Sequence, residues 1–311
     1  MATDPTDARA APPELLALER RLLESVGVTA EQGDLVTHGI RLHYLTCGQG
    51  EPLVLIHGRG DAGASFAPIL SALATRRRVF TLDLPGWGLS EKPPFRGHTP
   101  QDALNIWVNA VDGLMEGLGI PGAAVLGHSL GGFVAIGLAL AHPERVERLI
   151  LEDPAGIGAH LSPWLVRLIF SAQPERLARL LGKRGWRLVA DRDPKRAPSV
   201  PAFDFEYAVI TQPGIIASGA RAFAVTSDLR SWKLPMNDRL AELGMPSLLL
   251  WGERDITTRY ANAGVSLPLL PDARLITFAD TGHAPHEERP TEFARVLLDW
   301  LDGGTIPERV E

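Results

Sequence analysis

Ser129 lies in the run Gly127-His128-Ser129-Leu130-Gly131, between the apolar stretches AAVL and GFVAIGLAL. A serine hydroxyl becomes a useful nucleophile only beside a base, and the base works best when an acid orients it. Glycines on both sides suit a sharp turn from a strand into a helix, which lifts the serine Oγ clear of the backbone. The pentapeptide alone also arises by chance as a tight turn with an incidental serine, so its meaning depends on what else the chain offers.

A base and an acid both follow later in the chain. Asp255 comes after the apolar run PSLLLWGER and His283 after LITFADTG, so the order is serine, acid, histidine. That order, with each residue at the end of a predicted strand, fits the strand–turn–helix nucleophile motif. Other groups compete for these roles. His286 lies three residues beyond His283 and is a rival base, whereas His128, next to the serine, is expected to pack. Glu152 and Asp153 end the strand ERLILED and offer a second carboxylate position. Asp255 ranks above Asp153, which precedes Pro154 like an ordinary turn acid.

Acyl transfer also needs donors for the developing oxyanion, commonly two backbone N–H groups. The N–H of Leu130, at the start of the helix, is one candidate. The other is the N–H of Arg59, in the run His57-Gly58-Arg59-Gly60 after PLVLI, where Gly58 lets the backbone bend. The Arg59 side chain is expected to be a solvated charge at a loop tip.

These groups need a scaffold. From residue 52 onward, short apolar strands (PLVLIHG, RVFTLDLPG, AAVLGHS, VERLILEDP, PSLLLWGERD, ARLITFAD) alternate with helical stretches. That pattern indicates an α/β fold with a mostly parallel sheet buried on both faces by helices. Before it, PPELLALERRLLESVG (12–27) spaces Leu15, Leu16, Leu18, Leu22 and Leu23 as an amphipathic helix, and LVTHGIRLHYLTCG reads as two short strands around His38-Gly39. The alternation stops between residues 155 and 240, where helical pieces are broken by PKRAPSVP. The expected organisation is therefore an N-terminal tail and helix (1–34), the first part of an α/β body (35–154), a helical cap insertion (155–240), the second part of the body (241–302) and a C-terminal tail (303–311).

Composition narrows the function classes. The 311-residue chain carries 45% hydrophobic and 22% charged residues and a net charge of −6, which argues against a nucleic-acid-binding role. Cys47 is the single cysteine, so neither an intramolecular disulfide nor a cysteine metal cluster can form. The N-terminus lacks a basic start followed by an apolar run, and no apolar stretch reaches a membrane span, so a cytoplasmic location is expected. The insertion holds 13 Lys and Arg against 7 Asp and Glu, or +6, leaving −12 on the remainder. A basic cap over an acidic body could draw anionic substrates to a cleft; attraction between the two parts, or simple solvation, is the favoured account of the charge.

Taken together, HGRG, DLPGWGLS, GHSLGG, WGERD and GHAPHEERP resemble the α/β-hydrolase superfamily, in its branch with a serine nucleophile and a helical cap, over about residues 35–302. The resemblance implies Ser129 as nucleophile, His283 as base, Asp255 as acid, and Arg59 and Leu130 as oxyanion donors, with no cofactor or metal and a small-molecule substrate. It implies a serine hydrolase of small to medium carboxylic esters that works through an acyl-enzyme. Epoxide hydrolases and haloalkane dehalogenases are similar but carry an Asp at the elbow. The family's C–C hydrolases of meta-cleavage dienoates remain an alternative, since HGRGDAGASF partly resembles their oxyanion loop; they usually carry Asn where this chain has His128. A hydrolase-like accessory protein without turnover is a third reading. Within the insertion, Trp164 and Phe170 are the candidates for lining an acyl pocket.

Overall fold

The computed structural model describes residues 11–95, 99–159, 174–190, 198–227 and 232–311. Nine strands form one sheet in the order β1-β2-β4-β3-β5-β6-β7-β8-β9. They are β1 (Glu31–Thr37), β2 (Ile40–Cys47), β3 (Pro52–Ile56), β4 (Arg78–Leu82), β5 (Ala123–His128), β6 (Val146–Glu152), β7 (Ser247–Gly252), β8 (Ala273–Phe278) and β9 (Arg309–Val310). β1 and β2 are an antiparallel hairpin turned at His38 and Gly39, both at positive φ, and β2 runs antiparallel to β4. Every pairing from β4 through β3 to β9 is parallel. The mostly parallel sheet expected from the apolar strands is therefore present.

The strands are apolar without interruption because successive side chains feed two cores. Val54 and Ile56 point into one cluster with Trp107, Val111 and Phe133, while Leu53 and Leu55 point into the other with Phe66, Leu70 and Phe293. Leu249 and Trp251 of β7 divide from Leu248 and Leu250 in the same way. This is the period-two alternation of a strand, read on a sheet covered on both sides.

Helices cover the two faces. They are α1 (Pro13–Ser25), α2 (Ala67–Leu73), α3 (Pro100–Gly117), α4 (Leu130–Ala141), α5 (Pro174–Ala190), α6 (Val200–Ile210), α7 (Gly219–Thr226), α8 (Ala261–Ser266), α9 (Pro285–Glu288) and α10 (Pro290–Leu301). The described residues between 155 and 240 contain α5, α6 and α7 and one isolated antiparallel bridge, Ser227 with Trp232. α5 breaks at Gly182, whose φ of 67° and ψ of 173° are not helical. α1 is amphipathic as its leucine spacing requires, with Leu15, Leu22 and Leu23 buried. Its polar Glu19 is buried too, which the leucine pattern does not show. Glu19 bonds His43 of β2 at 3.0 Å, and His43 also bonds Asp34 of β1 at 3.0 Å. Residues 303–311, expected to be a tail, contribute β9, because Arg309 and Val310 pair with Thr277 and Phe278.

Candidate active site

In a parallel sheet all strands end on the same side, so the loops after β3, β5, β6, β7 and β8 gather at one edge. β5 ends at His128, and α4 begins at Leu130. Ser129 alone makes the turn, with φ 51° and ψ −113°, a strained conformation for a residue with a side chain. The flanking glycines answer a steric demand. A Cβ on Gly127 would lie 2.2 Å from the Gly131 carbonyl oxygen, and one on Gly131 would lie 2.0 Å from the Ile56 carbonyl oxygen. The turn closes only because both positions lack side chains.

Ser129 Oγ lies 2.9 Å from His283 Nε2, and His283 Nδ1 lies 3.1 Å from Asp255 Oδ2. The three side chains form one hydrogen-bonded line, with Asp255 fully buried and His283 14% exposed. Asp255 is held by several donors: the N–H groups of Thr257 and Thr258 reach Oδ1 at 2.6 and 3.2 Å, and the Trp251 indole and the Thr258 hydroxyl donate to Oδ2. Burial opposes charge on Asp255, but His283 and these donors outweigh it and hold the carboxyl well below the usual range. Asp255 is thus a buried carboxylate aimed at the Nδ1 side of His283, and Nε2 faces the Ser129 hydroxyl.

The competing residues have other partners. His286 is fully buried and bonds Glu152 through Nδ1 at 2.8 Å, whereas His283 is the histidine that meets Ser129. His128 does more than pack: its Nε2–H donates to the His283 carbonyl at 2.8 Å, so it steadies the loop that carries His283. Asp153 departs from the expectation of an ordinary turn acid. It is completely buried at a φ of 40°, and its Oδ1 accepts the Gly252 N–H at 3.1 Å. Its carboxylate, that of Asp255 and the His283 ring each bring an atom within 4.8 Å of the others. The physical reason is strand order: β6 lies between β5 and β7, so its terminal carboxylate falls inside the site. Burial, followed by the charges of Asp255 and Glu152, pushes Asp153 well above the usual carboxylate range. Burial and these neighbouring charges therefore favour the neutral form of Asp153.

The loop after β3 abuts the elbow. A Cβ on Gly58 would lie 3.4 Å from the Ser129 Cβ. His57 fixes this loop in a way the sequence did not suggest. The Leu84 N–H donates to His57 Nε2 at 2.9 Å, so the ring proton sits on Nδ1 and donates to the Gly58 carbonyl at 2.6 Å. With that carbonyl held, the planar trans peptide turns the Arg59 N–H to the opposite side. The Arg59 side chain is not the solvated charge expected. It is 4% exposed, donates to both carboxylate oxygens of Glu175 on α5 at 2.9 and 3.0 Å, and stacks 4.6 Å above the Phe223 ring of α7. The expectation failed because its partners are 116 and 164 residues away in the sequence. The Leu130 N–H is among those at a helix start that have no acceptor within the helix. Trp164 and Phe170 lie outside the described residues.

The alpha/beta hydrolase fold model matches residues 51–290. The chain belongs to this family. Among its relatives, the 2-hydroxymuconate semialdehyde hydrolase of Pseudomonas sp. (strain CF600) is 38% identical over 278 residues, covering 86% of this chain and 93% of that protein. A 2-hydroxy-6-oxo-6-phenylhexa-2,4-dienoate hydrolase of Burkholderia cepacia is 29% identical, over 85% of this chain and 92% of its own. Among solved structures, a membrane phospholipase A superposes with a TM-score of 0.76 at 27% identity, over 93% of this chain and 91% of that one. A Bacillus subtilis carboxylesterase gives a TM-score of 0.73 at 21% identity, over 94% and 98% of the two chains, a likeness of fold. The α/β-hydrolase resemblance and the hydrolase class are thereby shown, while the relatives span several substrate types.

Proposed function

We propose that this hydrolase is a serine esterase of small to medium carboxylic esters, with residues 155–240 as its cap. The observation that carries the reading is the unbroken line from Ser129 through His283 to Asp255, at 2.9 and 3.1 Å, behind a strained elbow. As Ser129 Oγ attacks the ester carbonyl carbon, its proton passes to His283 Nε2. The carbonyl oxygen becomes an oxyanion that accepts the N–H groups of Arg59 and Leu130. Collapse of this intermediate breaks the bond to the alcohol oxygen, which takes the proton from His283 and departs. Water then repeats the sequence against the acyl-serine, giving the acid and free Ser129.

The environment of Arg59 favours esters. Its guanidinium faces the carboxylate of Glu175, so its charge is already balanced within the protein and is not offered to a substrate carboxylate. The second reading, a C–C hydrolase of a dienoate acid, is favoured by the 38% identity with a 2-hydroxymuconate semialdehyde hydrolase. The discriminating experiment compares p-nitrophenyl esters of short acids with a meta-cleavage dienoate on the same preparation. Faster turnover of esters, lost by several orders of magnitude in Ser129→Ala, is expected. A strong preference for the dienoate would replace the ester reading, and a Ser129→Ala variant within tenfold of the parent would remove the serine mechanism altogether.

A further inference from the structure

Eight large apolar side chains are exposed among the described residues, and three of them stand on α5: Leu180 at 82%, Leu188 at 74% and Leu181 at 42%. A fourth, Val200, opens α6 at 63%, whereas Val26, Val36, Ile256 and Leu269 are scattered elsewhere. Scattered exposed apolar residues are ordinary; a group on one helix marks a contact surface.

The exposed polar residues of α5 itself are of one sign. Arg176, Arg179, Lys183 and Arg184 are all exposed on α5, and its one acid, Glu175, is buried against Arg59. Arg176 precedes Leu180 by four positions and Arg184 precedes Leu188 by four, so each leucine shares a face with an arginine in its own half of the helix. Lys183 meets Asp204 at 2.8 Å and Arg179 donates to the Gln212 carbonyl, yet both side chains stay exposed. Beyond the helix, residues 155–240 carry +6 and the remainder −12. That separation would orient the molecule with this face toward any negative surface.

We propose that the exposed side chains of the two pieces of α5 dock on an anionic lipid surface, the leucines entering the headgroup boundary and the arginines and lysine meeting lipid phosphates. Protruding apolar side chains with exposed basic ones on the same element, here on both pieces of α5 either side of Gly182, have the composition of an interfacial segment. Self-association through this face is disfavoured, since a two-fold contact would set one basic patch against its copy. An acidic protein partner would call for a recess to receive its side chains, whereas leucines exposed to this degree project outward. No helix among the described residues is long and apolar enough to cross a membrane, so the contact would be peripheral. Docking of this kind would bring the cap to the layer in which esters with apolar acyl chains dissolve. The lipid contact itself does not depend on which acyl substrate is cleaved.

The test is co-sedimentation of the full chain with vesicles of phosphatidylcholine containing about a third phosphatidylglycerol, against vesicles of phosphatidylcholine alone. Binding to the anionic vesicles, weakened by salt and nearly absent on the neutral ones, is expected. Leu180→Ser and Leu188→Ser should each weaken partitioning about tenfold, and Arg176→Gln with Arg184→Gln should flatten the salt dependence. Melting temperatures should stay within about 1 °C of the parent, as for exposed surface positions. Failure of the parent chain to bind anionic vesicles would overturn the proposal, as would binding that the serine variants leave intact. A dimer by light scattering that Leu180→Ser and Leu188→Ser dissolve would likewise overturn it, in favour of contact between copies.

Discussion

Glu175→Gln should weaken both the fold and the chemistry, because Glu175 holds the residue whose N–H is proposed to receive the oxyanion. The Arg59 and Glu175 side chains are 4% and 1% exposed, so the substitution leaves a guanidinium buried without its counter-charge. Breaking a buried ion pair from one side costs about 3–5 kcal/mol. Burial already depresses the Arg59 pKa despite Glu175, which marks the desolvation the pair must offset. The Phe223 face at 4.6 Å remains and returns about 1 kcal/mol of cation–π attraction, so the lower end, about 3 kcal/mol, is expected. In a chain of this size that corresponds to a melting temperature lower by about 5 °C. Losing one oxyanion donor outright costs about 10²–10³ in kcat; a donor on a loosened loop should cost about 10–10². The informative comparison sets Glu175→Gln and Arg59→Met beside the double variant Arg59→Met/Glu175→Met, by thermal melting and ester turnover. The double variant removes both charges and should lose less stability than the two single losses added together. Single losses that simply add, or a Glu175→Gln protein with unchanged melting and kcat, would refute the reasoning.

Two further outcomes test the carboxylates and the N-terminal helix. Asp255→Asn removes the carboxylate that accepts the Nδ1 proton of His283 and should lower kcat by about 10⁴, while Asp153→Asn, an uncharged isostere at a site where burial favours the neutral form, should stay within about tenfold of the parent; the reverse ranking would move the acid to β6. His43 has its pKa raised to about 10: burial lowers it, but hydrogen bonds to Asp34 and Glu19 and the charge of Asp83 outweigh that. Its protonation therefore adds stability that is complete below the unfolded histidine value of about 6.5 and is lost as pH rises through about 10. Urea unfolding across that window should show stability falling in the parent and falling less in Glu19→Gln; identical slopes would remove His43 as the source.

Much of the site was legible in the chain because it rests on local patterns. The glycines around Ser129 answer contacts within a few residues or with the neighbouring strand, and uninterrupted apolar strands report a sheet covered on both faces. The chain order Ser129, Asp255, His283 became informative because a parallel sheet delivers every strand end to one edge. What the sequence left open depends on partners distant along the chain. Arg59 reads as a loop charge until Glu175 and Phe223 close over it, and Glu19 reads as one more polar helix residue until His43 meets it. Asp153 looks like a turn acid because strand order, which no local pattern encodes, is what sets β6 between the serine and acid strands. The two residues of β9 are too few to show a period, and they become a strand only through the free edge that β8 offers them. Residue types and spacing determined which groups could do chemistry; tertiary structure decided which charges are buried, which protons are shared and which loops are held, since those depend on desolvation and on distances set by packing.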